Sequence, residues 1–194
     1  DGSGVYVQQV TARLETPLGS EALTQAWQAV LDAWPNLRAS FAWAGLPRPL
    51  QRIHRSIAMP VAVLDWRGLN PAAQSAELDR FLAEDRSRGF DPATAPLMRV
   101  TLARLGEASW QVVWSHHHLL LDGWSLPILL REIFAGYAGH RLPPAASYRK
   151  FITWLADRDL DAARAAWGEV LAGFDTPTLV GPHDRLQDRL GRGQ

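Results

Sequence analysis

The stretch of sequence that decides the fold is SHHHLLLDGWS, residues 115–125. An apolar, β-prone segment, residues 110–114, precedes it, and apolar residues at helical spacing, residues 126–137, follow it. The three histidines therefore lie where a strand ends and a loop leads into a helix. Loops on a rigid scaffold commonly carry functional side chains. Imidazole titrates near neutral pH, which suits it to proton transfer or to hydrogen bonding with a nucleophile.

The period of a strand separates these histidines. A regular strand sends alternate side chains to opposite faces, so His116 and His118 share one face and His117 lies on the other. Adjacent histidines are therefore poorly placed to serve the same point. Glycine at position 123 permits a positive φ or a close approach of the backbone to a ligand. Ser125 is a favourable N-cap for the helix that follows.

The rest of the chain alternates strand and helix patterns. The predicted strands lie near residues 10–14, 41–43, 50–57, 61–66, 99–102 and 110–116. The predicted helices lie near residues 20–34, 71–88, 125–137, 147–158 and 161–172. Asn70, followed by Pro71, is the predicted N-cap of the helix near 71–88, and we interpret the charged residues of that helix as a solvated face. This order of elements predicts an α/β sandwich in which helices pack on a mixed sheet.

Length and composition limit the possible classes of protein. A chain of 194 residues suits one domain or slightly more, and a composition of 47% hydrophobic and 21% charged residues indicates a globular chain. Twenty basic residues balance twenty acidic ones, which gives no support for a nucleic-acid-binding surface. The absence of cysteine excludes disulfides and thiolate metal ligands. No apolar run approaches the ~18 residues of a membrane span, and we expect a cytoplasmic protein.

The histidine spacing carries a family resemblance. His117-His118-x-x-x-Asp122-Gly123 resembles the HHxxxDG signature of condensation domains from nonribosomal peptide synthetases. The wider chloramphenicol-acetyltransferase-like superfamily shares a shorter HxxxD signature. The continuation GWS, residues 123–125, also resembles condensation domains, and Trp124 within it is expected to be a packing residue. The motif after a strand is a specific signal, whereas HxxxD alone is a weak one.

Two further segments agree with the same family in the expected order. LRASF, residues 37–41, is similar to the family's RHxxLRTxF, although Ala33 and Trp34 replace its first two residues. YRKFITW, residues 148–154, is similar to YxDYxxW, with Lys150 in place of the aspartate. The resemblance covers about residues 5–174.

The resemblance implies a specific fold and domain organisation. The expected fold is a chloramphenicol-acetyltransferase-like lobe, with helices packed on a mixed, mostly antiparallel sheet. A whole family member has two similar lobes, and the histidine motif of the first lies at the floor of a tunnel between them. We therefore expect residues 1–175 to be an N-terminal lobe and residues 176–194 a linker or tail toward an absent C-terminal lobe. Such a lobe is expected to be inactive alone.

The resemblance also implies an acyltransferase. A condensation domain forms an amide (peptide) bond between a donor acyl or peptidyl thioester and an acceptor aminoacyl thioester in nonribosomal peptide biosynthesis. Both substrates arrive on the phosphopantetheine of carrier (thiolation) domains, so the lobe itself is expected to bind no cofactor. The expected partners are both carrier domains, the C-terminal lobe and neighbouring synthetase domains, with no nucleic acid and no membrane.

Two other functions remain open at this stage. One is another HxxxD-type acyltransferase that uses a free thioester such as coenzyme A. The other is a non-catalytic lobe that only docks carrier domains. Dependence on a carrier protein separates a condensation domain from an acyltransferase that uses a free thioester. Loss of activity on changing His118 argues against a lobe that only docks carrier domains.

The resemblance implies roles for five residues. His118 removes a proton from the attacking amine, or it positions that amine and stabilises the tetrahedral state. His117 points away from His118, hydrogen-bonds within the core and so supports the site. Asp122 either orients a catalytic histidine, as in a triad, or holds the loop through an arginine, for which Arg38 is the matching residue. Gly123 keeps the floor of the tunnel open and leaves its N–H available to an oxyanion.

Other chemistries fit the residues less well. Zinc needs about three converging protein ligands, but a strand sends neighbouring histidines apart, and the other three histidines of the chain are remote in sequence. We therefore expect no metal. Ser115 and Ser125 lack the glycines of a nucleophile elbow, so a serine nucleophile is not expected.

Overall fold

The computed structural model describes residues 6–142 and 146–176 of the chain. They belong to two compact units, one ending at Tyr148 and the other beginning at Arg149. In chain order the elements are β1 (Val7–Leu14), α1 (Ser20–Ala33), a 3-10 helix (Pro35–Arg38), β2 (Ala39–Ala42), β3 (Leu50–Ile53), β4 (Val61–Asp65), α2 (Pro71–Arg88), β5 (Met98–Arg104), β6 (Trp110–His117), α3 (Ser125–Tyr137), α4 (Tyr148–Ala156) and α5 (Leu160–Val170). None of the helices in these described ranges has the length and hydropathy needed to cross a membrane.

The first unit is built on a four-stranded sheet in the order β1-β6-β5-β4. β6 is antiparallel to both of its neighbours, whereas β4 is parallel to β5. The prediction of a mixed, mostly antiparallel sheet is therefore confirmed. β2 and β3 form a separate antiparallel pair, and β3 is shorter than the strand predicted over residues 50–57.

The hydrophobic core lies between one face of this sheet and helices α1 and α3. Trp27 of α1 meets Trp114 of β6 edge to face, with ring centroids 5.0 Å apart. The two helices are in contact at Gly136, where an added Cβ would lie 3.5 Å from that of Ala26, an ordinary van der Waals distance. The buried apolar residues of the two helices follow the predicted stripes: Leu23, Ala26, Trp27, Val30 and Leu31 in α1, and Leu129 and Ile133 in α3.

Helix α2 packs on the opposite face of the sheet. Its predicted N-cap is confirmed, because the Asn70 side chain accepts a hydrogen bond of 2.9 Å from the N–H of Ala73. The helix ends at Gly89, whose φ of 62° favours glycine. The expectation of a wholly solvated charged face is wrong at Asp85, which is only 2% exposed.

Asp85 is buried because three strands supply hydrogen bonds to its carboxylate. The register places Gln9 of β1 and Arg99 of β5 on either side of Ser115 of β6. Gln9 Nε2, Ser115 Oγ and Arg99 Nε donate to the carboxylate at 2.9, 2.5 and 2.5 Å. Burial alone raises the pKa of Asp85, but the hydrogen bonds from Arg99, Ser115 and Gln9 outweigh it and lower that pKa to about 2. The ionised carboxylate therefore ties α2 to three strands.

His116 is a histidine within the core. It is 0% exposed, and its ring lies 4.9 Å from that of Trp114. Neither ring nitrogen has a hydrogen-bond partner in the described part of the chain. Burial first, and then the neighbouring His118 and His117, lower the pKa of His116 to about 4. The ring is therefore neutral at pH 7 and packs as an apolar group.

The second unit contains helices α4 and α5, close to the predicted ranges 147–158 and 161–172. Asp159 caps α5, because its side chain accepts hydrogen bonds from the N–H groups of Asp161 and Ala162 at 3.0 and 2.9 Å. The linker or tail predicted from residue 176 lies outside the described residues from position 177 onward.

Asp85→Ala tests the buried carboxylate. We expect it to lower the free energy of unfolding by about 3–5 kcal/mol at pH 7, because Arg99, whose side chain is only 16% exposed, then loses its counter-charge. The measurement is urea unfolding followed by tryptophan fluorescence. Glu84→Ala removes an exposed carboxylate from the same helix and is expected to cost less than about 1 kcal/mol. In the wild type, the contribution of the depressed pKa is present above the ordinary value of 3.8 and is lost as the pH falls toward 2. Equal losses for the two variants would contradict this role.

His116 predicts a second pH dependence in a separate window. Between pH 6.5 and about pH 4, His116 binds a proton in the unfolded chain but not in the folded chain. This residue therefore lowers the free energy of unfolding as the pH falls. At pH 5 the loss is about 2 kcal/mol. We expect His116→Leu to remove this part of the loss between pH 7 and 5 in urea unfolding, whereas His140→Leu, at an exposed position, retains it. A wild-type pH dependence in His116→Leu would refute the assignment.

Candidate active site

The loop that carries the histidine motif leaves the sheet at the end of β6. The N–H of His117 donates to Leu97 O, and the N–H of His118 donates to Tyr6 O, both at 2.9 Å. Leu120 N–H then donates back to His117 O at 3.0 Å, which closes a turn. The two histidines are thus held by backbone bonds from both neighbouring segments, and the loop that follows begins from a fixed point.

His118 lines a cleft and has its ring orientation fixed by the loop itself. Its Nδ1 lies 2.6 Å from the carbonyl oxygen of Leu121. A carbonyl oxygen can only accept, so Nδ1 carries the proton, and the lone pair of the neutral ring lies on Nε2. Nε2 has no hydrogen-bond partner among residues 6–142 and 146–176. The side chain is exposed and can accept a proton or a hydrogen bond from a group bound in the cleft.

His117 has the opposite tautomer. Its Nδ1 accepts a hydrogen bond of 3.1 Å from the N–H of Leu119, so the proton of the neutral ring lies on Nε2. Burial first, and then the neighbouring His118, lower the pKa of His117. The ring lies 5.8 Å from that of Tyr6 and does not line the cleft. His117 was predicted to bond within the core; its partner is instead the backbone of the turn, which it helps to hold.

Asp122 caps the turn that leads into helix α3, whose own N-cap, Trp124, makes no side-chain capping bond. Its Oδ1 accepts hydrogen bonds from the Ser125 N–H at 2.9 Å and from the Ser125 hydroxyl at 2.6 Å. These bonds, the hydroxyl first, lower the pKa of Asp122. Ser125 was predicted to be the N-cap, but it is the first residue of the helix and donates to the aspartate. The carboxylate therefore fixes the point at which the loop becomes a helix.

The predicted ion pair between Asp122 and Arg38 does not form among the described residues. Arg38 Nε donates to His54 O at 3.0 Å, and its Nη1 donates to Leu31 O and Asp32 O at 2.6 and 2.5 Å. The last two carbonyls belong to the final turn of α1, where carbonyls lack helical partners and the helix dipole is negative. Arg38 therefore caps the C-terminal end of α1, which forms part of one wall of the cleft. Its role at the site is to support that wall.

Gly123 and Trp124 differ from the sequence-based expectation. Gly123 has no positive φ, and a Cβ added to it would meet nothing within 4 Å in the described structure. The backbone conformation therefore does not require glycine at this position. That the Gly123 N–H binds an oxyanion remains a prediction. Trp124, predicted to pack, is 85% exposed.

The cleft beside His118 has a volume of about 390 Å³, within the range of small-molecule sites. Its walls come from the end of α1, the 3-10 helix, β3, the histidine loop and α3: Trp34, Leu37, Gln51, Leu121, Ile128 and Leu129 are among the lining residues. Glu132, a buried carboxylate of α3, accepts a hydrogen bond from Trp34 Nε1 and fixes this wall. Sequence reasoning missed Glu132, which lies beside Leu129 at the edge of the apolar stripe and is buried with it.

Within residues 6–142 and 146–176, no group of three histidine, aspartate or glutamate side chains is arranged to hold a metal ion. His54, which is remote in sequence from the motif, hydrogen-bonds the Ser40 hydroxyl at 2.9 Å instead. The described cleft therefore offers an imidazole, apolar walls and a few polar side chains, namely the Asp122 carboxylate, the amides of Asn36 and Gln51 and the hydroxyls of Ser125 and Tyr148.

Comparison with known proteins agrees with this architecture. The chain is 36% identical over 188 residues to chondramide synthase cmdD of Chondromyces crocatus, covering 92% of this chain and 5% of that protein. It is 34% identical over 180 residues to bacitracin synthase 1 of Bacillus licheniformis, covering 90% of this chain and 3% of that protein. The chain thus spans only a small part of the curated relatives that it matches.

A solved structure and a family profile complete the comparison. The starter condensation domain of rhizomide synthetase RzmA superposes with a TM-score of 0.73 at 20% identity, covering 93% of this chain and 46% of that one. This likeness confirms the predicted chloramphenicol-acetyltransferase-like fold. The profile of the family described as Condensation domain matches residues 1–192. This chain therefore belongs to the condensation-domain family.

Proposed function

We propose that residues 1–175 form the N-terminal lobe of a condensation domain that makes amide bonds between two carrier-bound thioesters in nonribosomal peptide synthesis. The observation that carries the proposal is His118, whose Nδ1–H is held by Leu121 O and whose Nε2 lone pair is available beside the cleft. Family membership and the similarity to parts of two peptide synthases support the same reaction.

In the proposed reaction, the amine of the acceptor attacks the carbonyl carbon of the donor thioester. The new N–C bond forms, the C–S bond breaks, and the thiol leaves with the proton that the amine gives up. His118 Nε2 accepts a hydrogen bond from the attacking amine and can take that proton as the N–C bond forms. Holding both reactants in the cleft supplies a further part of the rate enhancement.

The remaining residues act on His118 through the loop. Asp122 caps the turn before α3, and His117 accepts a hydrogen bond from the N–H of Leu119 within the loop. Arg38 caps the end of α1 beside the cleft wall. The N–H of Gly123 donates to no residue of the described chain, which leaves it for an oxyanion. Donor and acceptor carrier domains, a C-terminal lobe, neighbouring synthetase domains and a cytoplasmic location belong to the same proposal. The lobe itself is proposed to hold no cofactor.

His118→Ala tests this function in the synthetase that contains the chain. With both carrier domains loaded, we expect amide formation to fall by about 10²–10⁴-fold, because the acceptor of the amine proton is removed. The measurement is single-turnover product formation by mass spectrometry. His140→Ala changes an exposed histidine outside the cleft and is expected to retain activity.

The same assay separates the competing functions. Equal turnover with coenzyme A thioesters would favour a free-thioester acyltransferase. Unchanged amide formation in a folded His118→Ala variant would favour a lobe that only docks carrier domains. The 194-residue chain alone is expected to give little or no product, because a tunnel between two lobes requires both.

Variants of Asp122 test whether this residue acts through its hydrogen bonds to Ser125 or through its charge. Asn also caps helices well, so Asp122→Asn keeps the bonds to Ser125, whereas Asp122→Ala removes them. We expect Asp122→Ala to lower both the free energy of unfolding and kcat/KM, and Asp122→Asn to retain most of both. A loss of kcat/KM in Asp122→Asn as large as in Asp122→Ala would show that the charge, and not the cap, matters.

A further inference from the structure

The charges of this balanced chain are unevenly placed. Residues 33–64 contain four arginines and no aspartate or glutamate, although the whole chain has twenty basic and twenty acidic residues. Arg38 is occupied with the end of α1. The other three, Arg48, Arg52 and Arg55, lie within or beside β3. We call the segment 48–55 the arginine hairpin.

The three arginines of this segment are exposed and have no partner within the described chain. None of their side chains donates a hydrogen bond or forms an ion pair with residues 6–142 or 146–176. Elsewhere in the same unit, exposed arginines such as Arg67 and Arg80 each pair with two carboxylates. The fold therefore neutralises several of its other surface charges locally but leaves the arginine hairpin positive.

The arginine hairpin adjoins the cleft without filling it. Gln51 of β3 lines the cleft, and alternate residues of a strand face opposite sides, so Leu50 and Arg52 lie on the outer face. Leu50 is 49% exposed there, and Trp43, just beyond β2, is 53% exposed. Arginine beside exposed aromatic and aliphatic groups is typical of protein–protein interfaces.

We propose that the arginine hairpin docks an acidic face of a carrier domain as that domain delivers its thioester to the cleft. This inference rests on the proposed function, which requires such a domain to approach the His118 side of the lobe. Unpaired positive charge selects a negative partner and steers its approach. The exposed, aliphatic Leu50 favours a protein over a nucleic acid, whose bases stack on aromatic but not on aliphatic side chains.

A simpler role for the arginines has a different requirement. β3 has only one partner strand in the described structure, and charged side chains on such an edge prevent pairing with other chains. Charge of either sign serves that purpose, so a glutamate would protect the edge as well as an arginine. Docking of an acidic face requires the positive sign. Charge reversal therefore separates the two roles, whereas replacement by alanine does not.

The test is binding of the 194-residue chain to each holo carrier domain of its synthetase, titrated separately by isothermal calorimetry at low and high salt. For at least one carrier domain we expect the triple variant Arg48→Glu, Arg52→Glu, Arg55→Glu to raise Kd about tenfold or more, and Arg52→Glu alone to raise it severalfold. Both effects should shrink as the salt concentration rises. Circular dichroism checks that the variants fold.

Arg131→Glu is the matched control, because Arg131 is an exposed arginine of α3 that also lacks a partner among the described residues. It is expected to leave Kd unchanged. Wild-type affinity in the triple variant would overturn the docking role, as would binding of a DNA oligonucleotide, but of neither carrier domain, through the same arginines. Absence of carrier binding in the wild type would also overturn it, and the amide-forming assay with His118→Ala decides independently whether the proposed function stands.

Discussion

The pairing of β6 on both of its edges is the constraint on which the site depends. Val7 of β1 pairs with His117, and Met98 of β5 pairs with His116, so the strand stays regular up to the motif. A slip of one residue would exchange the two faces of β6. It would also remove Ser115 from the Asp85 carboxylate and leave a buried charge with one donor fewer. The hydrogen bonds to Asp85 on one face of the sheet thus fix the register of β6, and with it the positions of the histidines.

From this fixed point the loop orients two adjacent histidines through backbone groups alone. The Leu119 N–H bonds Nδ1 of His117, and the Leu121 carbonyl accepts from Nδ1 of His118. The two rings therefore take opposite tautomers, and only His118 presents its Nε2 lone pair beside the cleft. Leu121 can hold that ring because its own side chain is buried in the core. The packed core therefore fixes the orientation of the His118 imidazole through Leu121.

The sequence predicted those parts of the molecule whose cause is local. The strand before the motif, the apolar stripes of α1 and α3 and the Asn70 cap follow from periodicity and from neighbouring residues. Asp85 escaped prediction because its donors come from three strands that are distant in sequence. The pairing proposed for Arg38 was wrong since free carbonyls at the end of α1 lie nearer to it in the chain. Long-range partners and competition between partners are not encoded in a pattern of spacing.

The exposure of His118 has a chemical consequence. An imidazole lone pair open to solvent is hydrogen-bonded to water, and water competes both with an attacking amine and, as a nucleophile, for a thioester. Apolar walls such as Leu37 and Leu129 exclude water only on the side that they cover. In the proposed reaction the remaining exclusion must come from the bound substrates and from whatever surface closes the cleft. The loop described here supplies the orientation of the imidazole, and closure supplies the dry environment in which that orientation favours amide formation over hydrolysis.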